Sequence, residues 1–294
     1  MPPCYHAFMS STRKPRKSLN FGGQADKNKA YFNNTANKYS EKELVDFDYF
    51  VSFPIYDKIV SACKERNNES PRVADVGAGV GISSIPLLER GCRVTAVDVA
   101  DSALGRLRER AGFAGDSLAT VCAEGSEFFD EAILSGRRFD VVLCRALLHH
   151  IPDYLAFVNK AAEVVAPGGY FISIADPLRY DSISRFEYFY ARATYYSMRL
   201  FKGNYLRGLK TLMRRSRGTL SEDLPEDNVE YHIVRNGVDQ DAIKKAFEKL
   251  GFDCEIIPYF GWNNPIMSPL GRKLGIRSSF AVVAKKGDSG ETAR

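Results

Sequence analysis

Residues 73–91 read VADVGAGVGISSIPLLERG. Small and apolar residues run into an acid, Asp75. Gly77, Gly79 and Gly81 then alternate with Ala78 and Val80, and an apolar helical pattern begins. Glycines at the tight positions between a strand and a helix let the backbone approach a ligand closely. The helix that follows presents N–H groups with no partner inside it. In nucleotide-binding βαβ units an acid about 20 residues further on grips ribose hydroxyls. Here that acid is Asp98, at the end of VTAVD. The pattern points to a ligand carrying adenosine, held at the carboxyl ends of the strands.

The flanking sequence extends this reading into alternating strands and helices. After RVADVG (strand) and ISSIPLLERG (helix, ended by Gly91) come CRVTAVDVA (strand) and SALGRLRERA, a helix with Asp101 or Ser102 as N-cap. LATVCAE is a strand before a helix over SEFFDEAILSG. RFDVVLCRA is a strand before a helix over DYLAFVNKAAEVV, and PGG turns the chain into the strand YFISIAD. Short apolar strands alternating with helices imply an α/β fold, a parallel sheet covered on both faces. The rhythm breaks after Asp176. Residues 177–236 read as an insert rich in Tyr and Arg. A helix over DQDAIKKAFEKLGF, stopped by Gly251, and two more strands, CEIIPYF and SSFAVVAKK, close the pattern. Before the first strand, 29–66 reads as two or three aromatic-rich helical pieces.

Composition bounds the alternatives. The 294 residues are 45% hydrophobic and 26% charged, with a net charge of +5. This suits a folded globule, and the charge is too mild to argue for nucleic acid. No apolar run reaches the roughly 20 residues of a membrane span. Cys4, Cys63, Cys92, Cys122, Cys144 and Cys254 form no CxxC pair, and the four histidines have no metal-ligand spacing. Free thiols in a reducing, cytoplasmic setting and no metal are the expectation. Residues 1–28 are basic, lack an apolar core and read as a disordered tail, as do 287–294.

The dinucleotide fingerprint is GxGxxG; here the third glycine comes one place early. With Asp75 two residues ahead, the form is D-x-G-x-G-x-G, which resembles the first motif of the class I S-adenosylmethionine-dependent methyltransferases. VTAVDVA resembles the second motif, FDVVLCRALLHHIPD the strand-4 motif, and VVAPGGYFISI the turn before strand 5. The resemblance covers residues 30–176 and 239–286. It implies a Rossmann-like seven-stranded sheet of order 3-2-1-4-5-7-6 with strand 7 antiparallel. It also implies S-adenosylmethionine as methyl donor, S-adenosylhomocysteine as product, and a small-molecule acceptor. By the same resemblance Asp75, Gly77, Ala78, Gly79 and Gly81 surround the methionine part, Asp98 takes the ribose diol and Val99 packs on adenine. Glu124, with Gly125, is the candidate for the adenine amino group, although Ala123 stands where the family often has its acid. Cys144 and Arg145 end strand 4 beneath the cofactor. The segment AYFNNTANKY resembles the piece that closes over the cofactor in ubiquinone/menaquinone-type and small-molecule methyltransferases, which makes 29–66 a lid with Tyr31 and Tyr39 as contacts. By the resemblance, 67–176 and 237–286 form the cofactor-binding domain.

Methyl transfer from a sulfonium needs chiefly orientation and exclusion of water, with a base only where the acceptor must lose a proton. His149, His150 and His232 are the candidates, since histidine titrates near neutrality. The segment 186–217 carries one apolar face and many Arg and Lys, with no acid between Glu187 and Glu222. In the family such inserts build the acceptor pocket, so Tyr188, Tyr195, Tyr196, Arg199 and Tyr231 are candidates for acceptor contacts. A basic amphipathic helix can also lie on a membrane or pack into a second subunit, and both stay open here. No N/D-P-P-Y/F tetrapeptide follows strand 4, which argues against a nucleic-acid acceptor.

Overall fold

In a computed structural model of the chain the described residues are 29, 48–201, 232, 235–262, 264 and 266–288. In chain order the elements are α1 (Tyr49–Asn67), β1 (Arg72–Val76), α2 (Ser84–Glu89), β2 (Arg93–Asp98), α3 (Asp101–Arg110), β3 (Leu118–Cys122) and α4 (Gly125–Leu134). They continue with β4 (Phe139–Arg145), α5 (Tyr154–Val164), β5 (Val165–Pro177), α6 (Arg185–Phe201), α7 (Gln240–Lys249), β6 (Phe252–Tyr259), α8 (Met267–Lys273) and β7 (Ser279–Lys286). The seven strands form one sheet in the order β3-β2-β1-β4-β5-β7-β6. Every pairing among β1 to β5 is parallel, while β7 runs antiparallel to both β5 and β6.

The inner strands β1, β4 and β5 are buried on both faces, as a covered parallel sheet requires, while the edge strand β3 is only partly buried. One core layer packs Phe128 and Phe129 of α4, Phe157 of α5 and Phe247 of α7 against the sheet. The other packs Ile55, Tyr56 and Ile59 of α1, Leu87 and Leu88 of α2, and Leu104 and Leu107 of α3. Thus α1 is a wall of the domain. Its Tyr56 hydroxyl donates to Ser83 Oγ at 2.9 Å, and Arg66 pairs with buried Asp140 at 3.0 Å. A covering role for 29–66 therefore does not describe this half of the segment; residues 30–47 lie outside the described ones.

Three local expectations are corrected. Helix α2 begins at Ser84 rather than at Ile82, because the chain is still turning through 77–83. The N-cap of α3 is Ala100, not Asp101 or Ser102; Asp101 instead places its charge in the first helical turn, where the dipole favours it. The PGG turn is absorbed into β5. Val165 already pairs with Phe139, the register then shifts, and Gly168, with φ +67°, carries the irregularity.

Candidate active site

The loop after β1 is tied to the neighbouring strand. The N–H groups of Gly77 and Ala78 donate to the Val97 carbonyl at 2.8 and 3.0 Å. Gly77, Gly79 and Gly81 have φ of +75°, +53° and +87°, which L residues seldom adopt. Their surroundings differ. A Cβ on Gly77 would press on Leu147 and one on Gly81 on Leu107, whereas one on Gly79 would meet nothing within 4 Å. Gly79 is therefore the glycine that borders open space. Its N–H donates to Asp98 Oδ2 at 2.8 Å, and Ala100 N–H donates to Asp98 Oδ1 at 2.8 Å. Burial pushes the Asp98 carboxyl up, against these main-chain donors.

Asp75 is fully buried at the end of β1. Oδ2 accepts from the Ser84 hydroxyl at 2.6 Å, while Oδ1 has no hydrogen-bond partner among the described residues. Burial pushes this carboxyl up to about 6, with Ser84 and Arg145 pulling it down and Asp98 pushing it further up. A buried carboxylate oxygen without a donor is costly, of order 1–3 kcal/mol, until something supplies one. The fit of a cationic adenosine ligand rests on this oxygen and on the open space over Gly79.

Other candidates from the sequence fall differently. Val99 is half-buried just beyond Asp98. Glu124 is the N-cap of α4, its Oε2 accepting from the N–H groups of Ser126 and Glu127 at 2.7 and 3.1 Å, so its carboxylate already has a helical duty. Gly125 is small for packing: a Cβ there would meet Phe157 and Val76 at 2.8 Å. The Cys144 side chain, expected beneath the cofactor, is wholly inside the core, and burial pushes its thiol far up. Arg145 turns instead toward Asp48, with Nη2 at 3.2 Å from Oδ2. Tyr31, Tyr39 and Tyr231 lie outside the described residues, as do the side chains of Tyr195, Tyr196 and Arg199.

The pairing of β4 with β5 stops at Arg145 and Ile174. Ala146 (φ +49°) and Ala175 (φ +70°) both take left-handed backbone just past the last regular pairs, with Ala146 N–H donating to the Ile174 carbonyl at 2.7 Å. Asp176 follows the bulge and is fully buried. Its Oδ1 accepts from the main-chain N–H of His149 at 3.0 Å and lies 2.8 Å from the ring Nδ1 of the same residue. Its Oδ2 accepts from the Ser173 hydroxyl at 2.8 Å. The ring centroid of His150 is 4.0 Å from that of His149. His232 joins the group from far along the chain, its N–H donating to the His149 carbonyl and its Nε2 lying 2.9 Å from the Ile151 carbonyl. Burial lowers its basicity. The three histidines are thus brought together, with His232 bracing the turn that carries the other two.

Helix α6 flanks this corner. Its start is a capping box: Ser184 Oγ accepts from Glu187 N–H, and Glu187 Oε2 accepts from Ser184 N–H at 2.8 Å. Glu187 also pairs with Arg277 beside β7, at 2.7 Å. Tyr188 packs on Tyr180, with the Arg192 guanidinium 5.5 Å from its ring centroid. At the end of β6 the Tyr259 hydroxyl is buried with no hydrogen-bond partner among the described residues, and it lies in the field of Asp48, Arg145 and Asp176. Asp48, Asp176 and Tyr259 escape sequence reasoning, because each stands alone in its segment. Only the S-x-x-E spacing of Ser184 and Glu187 was there to be read. Among the described residues no group of three or more His, Cys, Asp or Glu could hold a metal ion.

Comparison with known proteins gives the family and the fold. A family model described as "Methyltransferase domain" matches residues 52–255, and the chain belongs to that family. It is 38% identical over 98 residues to the ubiquinone biosynthesis O-methyltransferase of Idiomarina loihiensis, a match covering 33% of this chain and 39% of that protein. To the enzyme of the same name from Aromatoleum aromaticum it is 36% identical over 98 residues, covering 33% and 41%. The matches thus span about two fifths of the length of these relatives. Among solved structures, the magnesium protoporphyrin IX methyltransferase of Synechocystis with bound S-adenosylhomocysteine superposes with a TM-score of 0.54 at 14% identity, covering 90% of this chain and all (100%) of that one. The Burkholderia thailandensis 1,6-didemethyltoxoflavin-N1-methyltransferase, with 1,6-didemethyltoxoflavin and S-adenosylhomocysteine bound, gives 0.51 at 15%, covering 96% and 98%. These two likenesses are of fold.

Proposed function

We propose that the protein transfers a methyl group from S-adenosylmethionine to a small organic acceptor. The observation that carries this is the pair of acids at the glycine loop: Asp75 with a buried, unpartnered Oδ1, and Asp98 bound to the N–H of Gly79, the glycine that borders open space. S-adenosylmethionine, when bound, supplies an activated methyl on a sulfonium whose sulfur leaves as a neutral thioether. Asp75 offers Oδ1 to the ligand's ammonium. Asp98 keeps lone pairs for the ribose hydroxyls beyond its two main-chain donors, and Val99 offers an apolar contact to adenine. Glu124 serves the helix first. The names of the relatives and the ligands in the neighbouring structures support the same donor. His149 and His150 are the side chains we assign to proton removal, and Tyr188 on α6 to the acceptor side.

Calorimetric titration with S-adenosylhomocysteine and, separately, NAD tests this reading. Micromolar binding of the first with none of the second is the expected result; a folded protein silent to S-adenosylhomocysteine overturns it.

A second reading, a quinone-like acceptor met at a lipid surface, is favoured by one observation. Phe186 and Phe189 on α6 are 62% and 56% exposed, and Ile266 beside α8 is 76% exposed. Among the described residues no helix is long and apolar enough to cross a membrane, so the contact would be peripheral. Co-sedimentation with anionic vesicles, lost on Phe186→Ser/Phe189→Ser, separates this reading from an acceptor taken from water.

A further inference from the structure

The corner where β4 and β5 end holds a carboxylate that the cofactor reading leaves unused. Asp176 has no exposed surface. A carboxylate only accepts hydrogen bonds. Oδ2 is taken by the Ser173 hydroxyl and Oδ1 by the main-chain N–H of His149, so the close ring nitrogen of His149 must be the donor in its 2.8 Å contact. The proton of the neutral ring then sits on Nδ1, and the lone pair is on Nε2. The hydrogen bond made by one ring nitrogen sets the state of the other. The backbone has been bent to make this contact. Ala175 has φ +70° at the bulge before Asp176, and Ala146 has φ +49° three residues before His149. Left-handed backbone is unfavourable for alanine, and such strain gathers where a fold must aim a side chain.

We propose that Asp176 is a positioning residue that holds His149 in the Nδ1–H form, so that Nε2 removes a proton from the acceptor, and that the acceptor therefore reacts through a hydroxyl. The inference rests on the methyl-transfer reading above. An amine attacks as its free base and sheds its proton afterwards, so it needs no base in the attack; a hydroxyl gains from losing its proton as it attacks. The hydroxyl proton passes to Nε2, the freed oxygen pair becomes the O–CH3 bond, and the pair of the broken C–S bond stays on sulfur. The imidazolium, faced by the Asp176 carboxylate, then returns the proton to water. Asp176 keeps the ring oriented and offsets its transient charge without taking the proton itself.

The test is nitrogen NMR of the histidine rings in protein labelled with 15N-histidine, with His149 assigned by its loss in His149→Gln. In the wild-type protein, free or with S-adenosylhomocysteine, the His149 ring is expected with a protonated Nδ1 and a bare Nε2. Asp176→Ala, which removes the acceptor, is expected to move the proton toward Nε2, and Ser173→Ala to leave the form in place. Added catechol is expected to move the Nε2 resonance of the wild-type complex, and aniline to leave it. A wild-type ring protonated at Nε2, or one unchanged in a folded Asp176→Ala protein, overturns the assignment of Asp176. An Nε2 resonance indifferent to catechol overturns the hydroxyl acceptor. Because the ring is read in the free protein as well, these outcomes are separate from failure of S-adenosylhomocysteine to bind, which would sink the methyl-transfer reading alone.

Discussion

The loop after β1 and the corner where β4 and β5 end lie along the same edge of the sheet, but they are assembled from different reaches of the chain. Asp75, the three glycines, Ser84 and Asp98 all fall within one βαβ unit. The corner gathers Asp48, Arg145, His149, Asp176, His232 and Tyr259, which strand pairing and helix packing bring together from across the sequence. The first site is fixed by local backbone geometry, so its damage should read out as stability or ligand affinity, one residue at a time. The second depends on tertiary registration, and its damage should be felt through neighbours.

The largest effect is expected within the loop itself, where two chemically identical changes should separate. Gly81→Ala forces a left-handed alanine against the Leu107 side chain. Left-handed strain of about 1–2 kcal/mol plus overpacking of 1–3 kcal/mol gives a loss near 3 kcal/mol, measurable as a drop in denaturation midpoint. Gly79→Ala meets nothing in the protein and should cost only the backbone strain, about 1 kcal/mol. It should weaken S-adenosylhomocysteine more than Gly81→Ala does. The opposite order would move the ligand away from Gly79.

Next in size is Asp98→Ala, which removes the acceptor for Gly79 N–H along with the ribose partner. We expect about 2 kcal/mol of S-adenosylhomocysteine affinity to be lost, roughly 30-fold by calorimetry. Arg277→Ala, on the far side of the corner, should leave that affinity unchanged. Equal losses from both would mean that the two regions are one cooperative site.

A smaller effect comes from pH. Burial holds the Asp75 carboxyl up near 6 in the free protein. A ligand ammonium at Oδ1 favours the ionised form, so binding must release the proton that Asp75 carries below that pH. Affinity for S-adenosylhomocysteine should therefore be flat above about pH 7 and fall as pH drops through 6, by about tenfold at pH 5. In Asp75→Asn this slope should vanish. A slope that survives the substitution would place the titrating group elsewhere.

The contrast also explains what could be read before any coordinates. D-x-G-x-G-x-G followed by Asp98 is a local signal, because tight backbone and an acid at the next strand end must be encoded in adjacent residues. The alternation of strands and helices was legible for the same reason, as each unit carries its own apolar period, whereas the sheet order followed only from the resemblance of the motifs to the methyltransferase family. Asp176 was not legible. In YFISIAD it is one acid at a strand end, and only the Ala175 bulge and the arrival of His149 from β4 give it a partner. Glu124 was legible only as a candidate for the adenine amino group; that its carboxylate caps α4 depends on where the helix starts, and the structure engages it there. Cys144 stands next to the end of a strand buried on both faces, so strand position did not tell which side of it a ligand would see.

The smallest effect belongs to the pair that pins α6 beside the corner. Glu187 accepts from Arg277 through both oxygens, at 2.7 Å from Nε and 3.0 Å from Nη2, and also from the N–H groups of Ser184 and Arg277. These donors, the Arg277 guanidinium first, hold its carboxyl down at about 2, against the opposing effect of burial. A carboxyl lowered by folding stabilises the fold at every pH above its unfolded value of about 4.3, and the contribution is lost as pH falls from there toward 2. Arg277 is partly exposed, so solvent screens the pair, and its worth is about 1 kcal/mol. Arg277→Ala should therefore cost about that much at pH 7 in urea unfolding, with the gap between variant and wild type closing below pH 3. Because this pair anchors the start of α6, the loss should appear first as faster amide exchange in 185–194 and leave β1 and β2 protected. Equal loss of protection in both places would erase the distinction between a locally encoded loop and a corner held by distant partners.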